Sequence, residues 1–156
     1  MNKTRMNDRT TPYGMWRYGN DFRIAAVIVI AELNEKYFMP YYFLIGQSIE
    51  LLLKAYLMGR GVTILELKNK FGHNLKKLLR ESQKQELHNI VNLQQKHHSV
   101  IHLLNMEYLD RRFQYMQSGT MYLPEIQFVQ EAADMLSDGL EPFCREATKD
   151  AIASNK

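Results

Sequence analysis

The stretch 46–79, GQSIELLLKAYLMGRGVTILELKNKFGHNLKKLL, constrains the fold more than any other part of the chain. A nearly all-apolar run meets a glycine break, Gly59-Arg60-Gly61, and a second helical pattern is then opened by Gly72-His73-Asn74. A helix that is greasy nearly all round belongs in the middle of a bundle, where neighbours cover every face. Gln47, Glu50 and Lys54 interrupt that surface. At 3.6 residues per turn they fall within about one sixth of a turn and make one narrow stripe. Polar groups in apolar surroundings are paired or used, so this stripe is the first candidate site.

The flanking sequence supports the same architecture. Asn20 or Asp21 can cap a helix running to about residue 37, with the apolar centre AAVIVIA. Pro40 starts the central helix, expected over 41–58. Thr63 and Glu66 stand at capping-box spacing in a short turn over 63–68, and a third helix is expected over 74–82. A long helix is expected over 84–108, with Leu87, Ile90, Leu93, Ile101, Leu104 and Tyr108 in one stripe. Leu123-Pro124-Glu125 opens another, in which Ile126, Val129, Ala133, Leu136 and Leu140 recur at helical spacing. Gly139 and Pro142 are expected to end or kink it, leaving a final short helix over 143–153. Residues 1–18 show no periodicity and read as a mobile arm that Trp16 can tie down.

No segment alternates with period two and the connections are short. The fold class is therefore all-α: an antiparallel up-and-down bundle of four or five main helices, formed by residues 19–156 as a single domain.

At 156 residues, 46% hydrophobic and 24% charged, the chain suits one domain and is unlike a disordered segment. The single cysteine, Cys144, excludes an internal disulfide and favours a reducing compartment, so a cytoplasmic location is expected. The longest apolar run, 24–31, is far short of the ~20 residues that span a bilayer, and neither a membrane anchor nor a secretion signal is expected. A net charge of +3 permits nucleic-acid binding without calling for it.

Glu50 and Lys54 are an i,i+4 pair in the favourable order, worth only about 0.3–0.5 kcal/mol if exposed. Used functionally, the stripe would be a polar groove or a contact between subunits. Gly72 to Lys77 leads a glycine-freed backbone into a helix start, where unpaired amides favour anions. His73 or Asn74 can instead cap that helix. Lys76 and Lys77 oppose the helix dipole, so a negative partner, either Glu50 or a bound phosphate, would help them. His98 and His102 have the spacing of two metal ligands, but no third ligand is visible and no metal is expected. Arg111-Arg112-Phe113-Gln114-Tyr115 interleaves charge with aromatics, a pattern that stacks on bases and pairs with phosphates, or packs inward with its arginines on helix carbonyls. No nucleophile elbow or phosphate loop occurs, and no cofactor is expected.

Ser48-Ile49-Glu50-Leu51-Leu52-Leu53-Lys54-Ala55-Tyr56-Leu57, followed by Gly72-His73-Asn74-Leu75-Lys76-Lys77-Leu78-Leu79, resembles the HEPN superfamily (higher eukaryote and prokaryote nucleotide-binding domains). Leu104-Asn105-x-x-Tyr108, Phe113-x-Tyr115 and Pro124 resemble the later part of that pattern, so the likeness covers roughly 22–136. The resemblance implies a helical bundle, a homodimer, and a nucleotide, an RNA or a nucleotidyltransferase-type protein as partner. It also implies a setting in prokaryotic toxin–antitoxin or defence systems. Catalytic members carry an Arg, four to six residues, then a His, and act as ribonucleases. Here seven residues separate Arg80 from His88, and no histidine follows Arg111 or Arg112. One extra helical position turns a side chain by about 100°. The chain is accordingly expected to be non-catalytic, with Gln47, Glu50, Lys54, His73, Lys76 and Arg112 as ligand-binding residues. A degenerate ribonuclease using Arg80 with His88, or Arg111 and Arg112 with His73, is the alternative, and a plain helical scaffold is the third reading.

Overall fold

The computed structural model describes residues 9–32 and 38–155, and among them the chain is helical with no strand. Helix α1 spans Pro12–Glu32 and α2 spans Phe38–Gly59. A single turn, α3 (Ile64–Glu66), runs into a π-turn at Leu67–Phe71. Three further helices follow: α4 (Leu75–Lys84), α5 (Gln95–Leu109) and α6 (Ile126–Ser154). The expected all-α bundle is present, with five main helices among the described residues.

Helix α2 is the central rod. Tyr41, Ile45, Ile49, Leu52, Leu53, Ala55, Tyr56 and Leu57 are all fully buried, and α2 touches α1, α4, α5 and α6. Each buried Ile or Leu contributes about 1.5–3 kcal/mol, and this helix supplies more of the buried core than any other. Tyr41 meets Gln130 near the start of α6, and Gly59 lies against Phe143 and Ala147 farther along it. Glu50 meets His73 before α4, and Tyr56 bonds the Gln85 carbonyl after it. Helices α2, α4 and α6 therefore run the same way, with α1 and α5 opposed to them. The capped turn at Thr63 and the π-turn carry the chain back between α2 and α4. Thr63 and Glu66 form the expected capping box.

Three expectations about helix boundaries are corrected. The first concerns the arm: α1 begins at Pro12, not at Asn20 or Asp21, so residues 12–18 are helical. Trp16 is buried and its indole N–H donates to the Ser137 carbonyl at 2.9 Å. The Tyr13 ring stacks on Trp16 with 5.4 Å between centroids, beneath the Arg145 guanidinium. The contacts to Ser137 and Arg145 lie 121 or more positions away in sequence, where no local pattern reveals them. Residues 1–8 of the expected arm and 33–37 of the expected first helix lie outside the described residues.

The second correction concerns the long helix over 84–108, which is broken. Helix α4 stops at Lys84, Glu86 turns left-handed at φ 68°, and a 3-10 turn at Leu87–Asn89 precedes the extended entry to α5. A left-handed non-glycine residue costs about 1–2 kcal/mol. Burial of Leu87, Val91 and Leu93 offsets it. The buried Tyr56 hydroxyl donates to the Gln85 carbonyl freed at the break. In the third, α6 runs unbroken through Pro142. Pro142 and Asp138 are both exposed residues, so the break in the hydrogen-bond ladder that proline causes falls on the outer face of the helix.

His97 sets the start of α5. Its Nδ1 accepts from the Gln94 amide at 3.0 Å, and Nε2 meets the Glu131 carboxylate at 3.2 Å, where Lys96 also donates at 2.8 Å. Hydrogen bonds from Lys96, then His97 and Gln127, pull the Glu131 pKa down to about 2. A carboxylate pKa depressed by folding contributes stability that is complete above its ordinary value, near 4.5, and is lost as pH falls toward 2. Glu131→Gln is expected to flatten the stability–pH curve between about pH 4.5 and 2, measured by urea unfolding at each pH. An unchanged curve would show that this clasp does not couple to folding.

Candidate functional site

Glu50 is only 3% exposed and is the hub of the site. Lys54 Nζ donates to its Oε1 at 2.6 Å, and the Tyr108 hydroxyl donates to its Oε2 at 2.5 Å. His73 Nδ1 lies 3.1 Å from both carboxylate oxygens. Gln47 Nε2 donates to the Tyr108 oxygen at 2.6 Å and completes the chain of contacts. The i,i+4 pair of a solvated helix is here buried, where charge-assisted bonds are short and strong. Three of the six residues expected at the site, Glu50, Lys54 and His73, meet directly, and Gln47 joins them through Tyr108.

The local sequence explains how His73 reaches this position. Gly72 takes φ 54°, a left-handed conformation that lets the chain turn from the π-turn into α4. Asn74 is the cap, accepting from the Lys77 amide at 3.0 Å. The buried Asn105 Oδ1 accepts from the Leu75 amide at 2.7 Å and ties the start of α4 to α5. The helix start is thus largely satisfied internally. Of the two readings of this helix start, capping by Asn74 is the one observed.

Burial first, then the adjacent Glu50 carboxylate and the bond donated to it, raise the Tyr108 pKa far above the ordinary tyrosine range. Tyr108 is a fixed neutral donor. With Nδ1 given to Glu50, His73 keeps Nε2 as the ring nitrogen with no protein partner among the described residues. The His73 side chain is 55% exposed. It lines a cleft of about 200 Å³ together with Gln47, Tyr108, Arg111 and Gln114. Arg111 makes no ion pair among the described residues. The cleft therefore offers cationic and amide donors at its mouth, while the one carboxylate is buried behind them and neutralised by Lys54.

Arg112 does not line this cleft. Its guanidinium donates to Glu107 Oε2 at 2.8 Å and to the carbonyls of Thr120 at 2.8 Å and Gly119 at 3.1 Å. Glu107, itself buried, also accepts from the Tyr122 amide at 3.1 Å. Arg112 is a clasp for the 110–125 loop, and its neighbour Arg111, turned by φ 57°, takes the cleft position. Lys76 is exposed on α4 outside the cleft lining. Among the described residues no three His, Cys, Asp or Glu side chains gather to hold a metal. Burial, then Lys76 and His98, lower the His102 pKa.

Tyr108 and Gln114 are site residues absent from the expected set, and Arg111 was expected only in the alternative reading, beside His73. One signal for Tyr108 was in the sequence: Gly46, a lone glycine inside the apolar helix. A Cβ there would lie 2.6 Å from Tyr108 Cδ2 and 2.7 Å from Cε2. Gly46→Ala is expected to cost about 1–3 kcal/mol by overpacking, read by urea denaturation. A change below ~0.5 kcal/mol would mean that the ring moves freely and is not held for Glu50.

Burial of Cys144 pushes its thiol up to about 12, which removes it from nucleophilic roles. No helix of the described residues is long and apolar enough to cross a membrane. Comparisons with protein-family models, curated proteins and solved structures return no match for this chain.

Proposed function

We propose that the protein is a HEPN-like binding module that takes a phosphate-bearing ligand, a nucleotide or the backbone of RNA, in the cleft between His73 and Arg111. One observation carries this reading. A buried Glu50 holds His73 by Nδ1 and so aims its exposed edge into a recess shared with an unpaired guanidinium. Arginine suits a phosphate because its fork makes paired charge-assisted bonds, each hydrogen bond to a charged group being worth about 1.5–3 kcal/mol. The neutral, high-pKa Tyr108 keeps the floor of the cleft from adding negative charge. The resemblance supplies the wider setting: a homodimer, or a pair with a nucleotidyltransferase-type protein, in a prokaryotic toxin–antitoxin or defence system.

Titration calorimetry against nucleoside mono- and diphosphates tests the cleft. His73→Ala and Arg111→Ala are each expected to weaken binding about 10- to 100-fold. No binding by the wild type, or unchanged affinity in both variants, would overturn the assignment.

A second reading rests on the same dyad. With Nδ1–H held by a carboxylate, Nε2 is the basic nitrogen, and a base beside a phosphate-stabilising cation is what metal-independent RNA cleavage needs. This is the pairing of His73 with Arg111, not of Arg80 with His88, which stand on opposite sides of the left-handed break at Glu86. RNA incubated with chelator would be cleaved by the wild type and not by His73→Ala. Cleavage that survives the substitution would exclude the dyad as its source.

A further inference from the structure

Helix α4 divides its surface sharply. Leu75, Leu78, Leu79 and Ser82 are buried, whereas Lys76, Lys77, Arg80 and Lys84 are all exposed. At 100° per residue the four cations fall within about 100° of arc and extend ~12 Å along the axis. None of them makes an ion pair among the described residues. Glu81 is the one acid on α4, and it lies outside that arc, bonded to Gln85 Nε2 at 3.1 Å. Lys54, Lys70 and Lys96 have carboxylate partners at 2.6–2.9 Å, whereas none of the four cations on this face of α4 has one among the described residues.

The stripe begins one turn beyond His73 and so leads away from the cleft. Gln114, which lines the cleft, is followed in sequence by Tyr115 and Met116, residues that are 60% and 102% exposed. A line of unpaired cations, a phosphate-sized recess and a free aromatic ring are the parts of a site for single-stranded nucleic acid. The cations track the backbone and the ring stacks on a base of any identity. A duplex keeps its bases stacked and cannot lay one on Tyr115 with its phosphate in the recess. An acidic peptide would use the cations and leave the ring without a stacking partner.

We infer that the exposed face of α4 is a docking track for a single nucleic-acid strand, one of whose nucleotides enters the neighbouring cleft. The inference rests on the phosphate reading of that cleft for its end point, while the track can be tested by itself. The probe is a fluorescent 12-nucleotide single strand, as RNA and as DNA, with anisotropy recorded from 50 to 300 mM salt. The triple variant Lys77→Gln, Arg80→Gln and Lys84→Gln changes only exposed side chains, and circular dichroism checks its fold.

The expected result is at least a tenfold loss of strand affinity. The plot of log affinity against log salt should become shallower by about 2, since each single-strand phosphate released contributes about 0.7. Mononucleotide binding in the triple variant should be unchanged. Strand binding lost in the triple variant while the wild type binds no mononucleotide would support the track and overturn the cleft. A triple variant that binds the strand like the wild type, or a wild type that binds no strand, would overturn the track. Equal wild-type affinity for polyglutamate, or for vesicles containing anionic phospholipid, would also overturn it, by showing a surface that accepts any polyanion.

Discussion

Glu50→Ala is expected to cost about 3–5 kcal/mol of folding free energy, an effect large enough to unfold many domains of this size. The substitution removes the acceptor for Lys54, Tyr108 and His73 at once, although the pair is separated by one helical turn and resembles an ordinary surface contact in the sequence. Lys54, 13% exposed, would be left as a nearly buried ammonium without a counter-ion. Adding Lys54→Met to Glu50→Ala should therefore recover part of the loss, because it removes the orphaned charge. Urea denaturation of the two single variants and the double provides a double-mutant cycle. A loss below ~1 kcal/mol in Glu50→Ala, with no coupling to Lys54, would mean that water screens the pair and that the hub holds nothing in place.

Arg112→Gln is expected to cost a similar 3–5 kcal/mol, for a different reason. It leaves the buried Glu107 without its cation and frees the Gly119 and Thr120 carbonyls, so the 110–125 loop loses its clasp. Arg112→Lys should not rescue it, since an ammonium lacks the planar fork that reaches three acceptors together. Ligand affinity should fall only as the loop that carries Arg111 and Gln114 loosens. A variant as stable as the wild type but unable to bind would return Arg112 to the ligand-binding role expected from its sequence context.

The residues fell into place unevenly, and the pattern of success has a physical basis. Gln47, Glu50 and Lys54 are on one helix, so spacing alone put them on one face. His73 was legible as a candidate because Gly72 and Asn74 mark a turn into a helix. The choice between Arg111 and Arg112 was not legible. Adjacent residues share every compositional signal, and only the left-handed backbone at Arg111 decides which guanidinium meets the loop and which meets the cleft. Gln114 depended on the same loop.

Helix boundaries show the same division. The apolar residues of the expected 84–108 helix were mostly core residues as foreseen, Leu87, Leu93, Ile101, Leu104 and Tyr108 among them, but the helix itself is interrupted. Neither glycine nor proline marks the break at Glu86, which follows from what Tyr56 and the core offer on either side. The apolar centre of α1 misleads in the opposite direction. Ala26 is buried there, while Ile24, Val27 and Ile28 are 40–57% exposed.

Periodicity, capping residues and the all-apolar α2 were enough to determine a helical bundle with a polar stripe on its central rod, because those preferences act within a few residues of chain. The tertiary structure alone decided that the stripe closes on Tyr108 and His73, that Trp16 anchors the first helix, and that Arg111 faces the cleft. The first two outcomes depend on contacts between residues 23 to 121 positions apart, whose free energy exists only once the helices have packed, and the third on the left-handed backbone at Arg111.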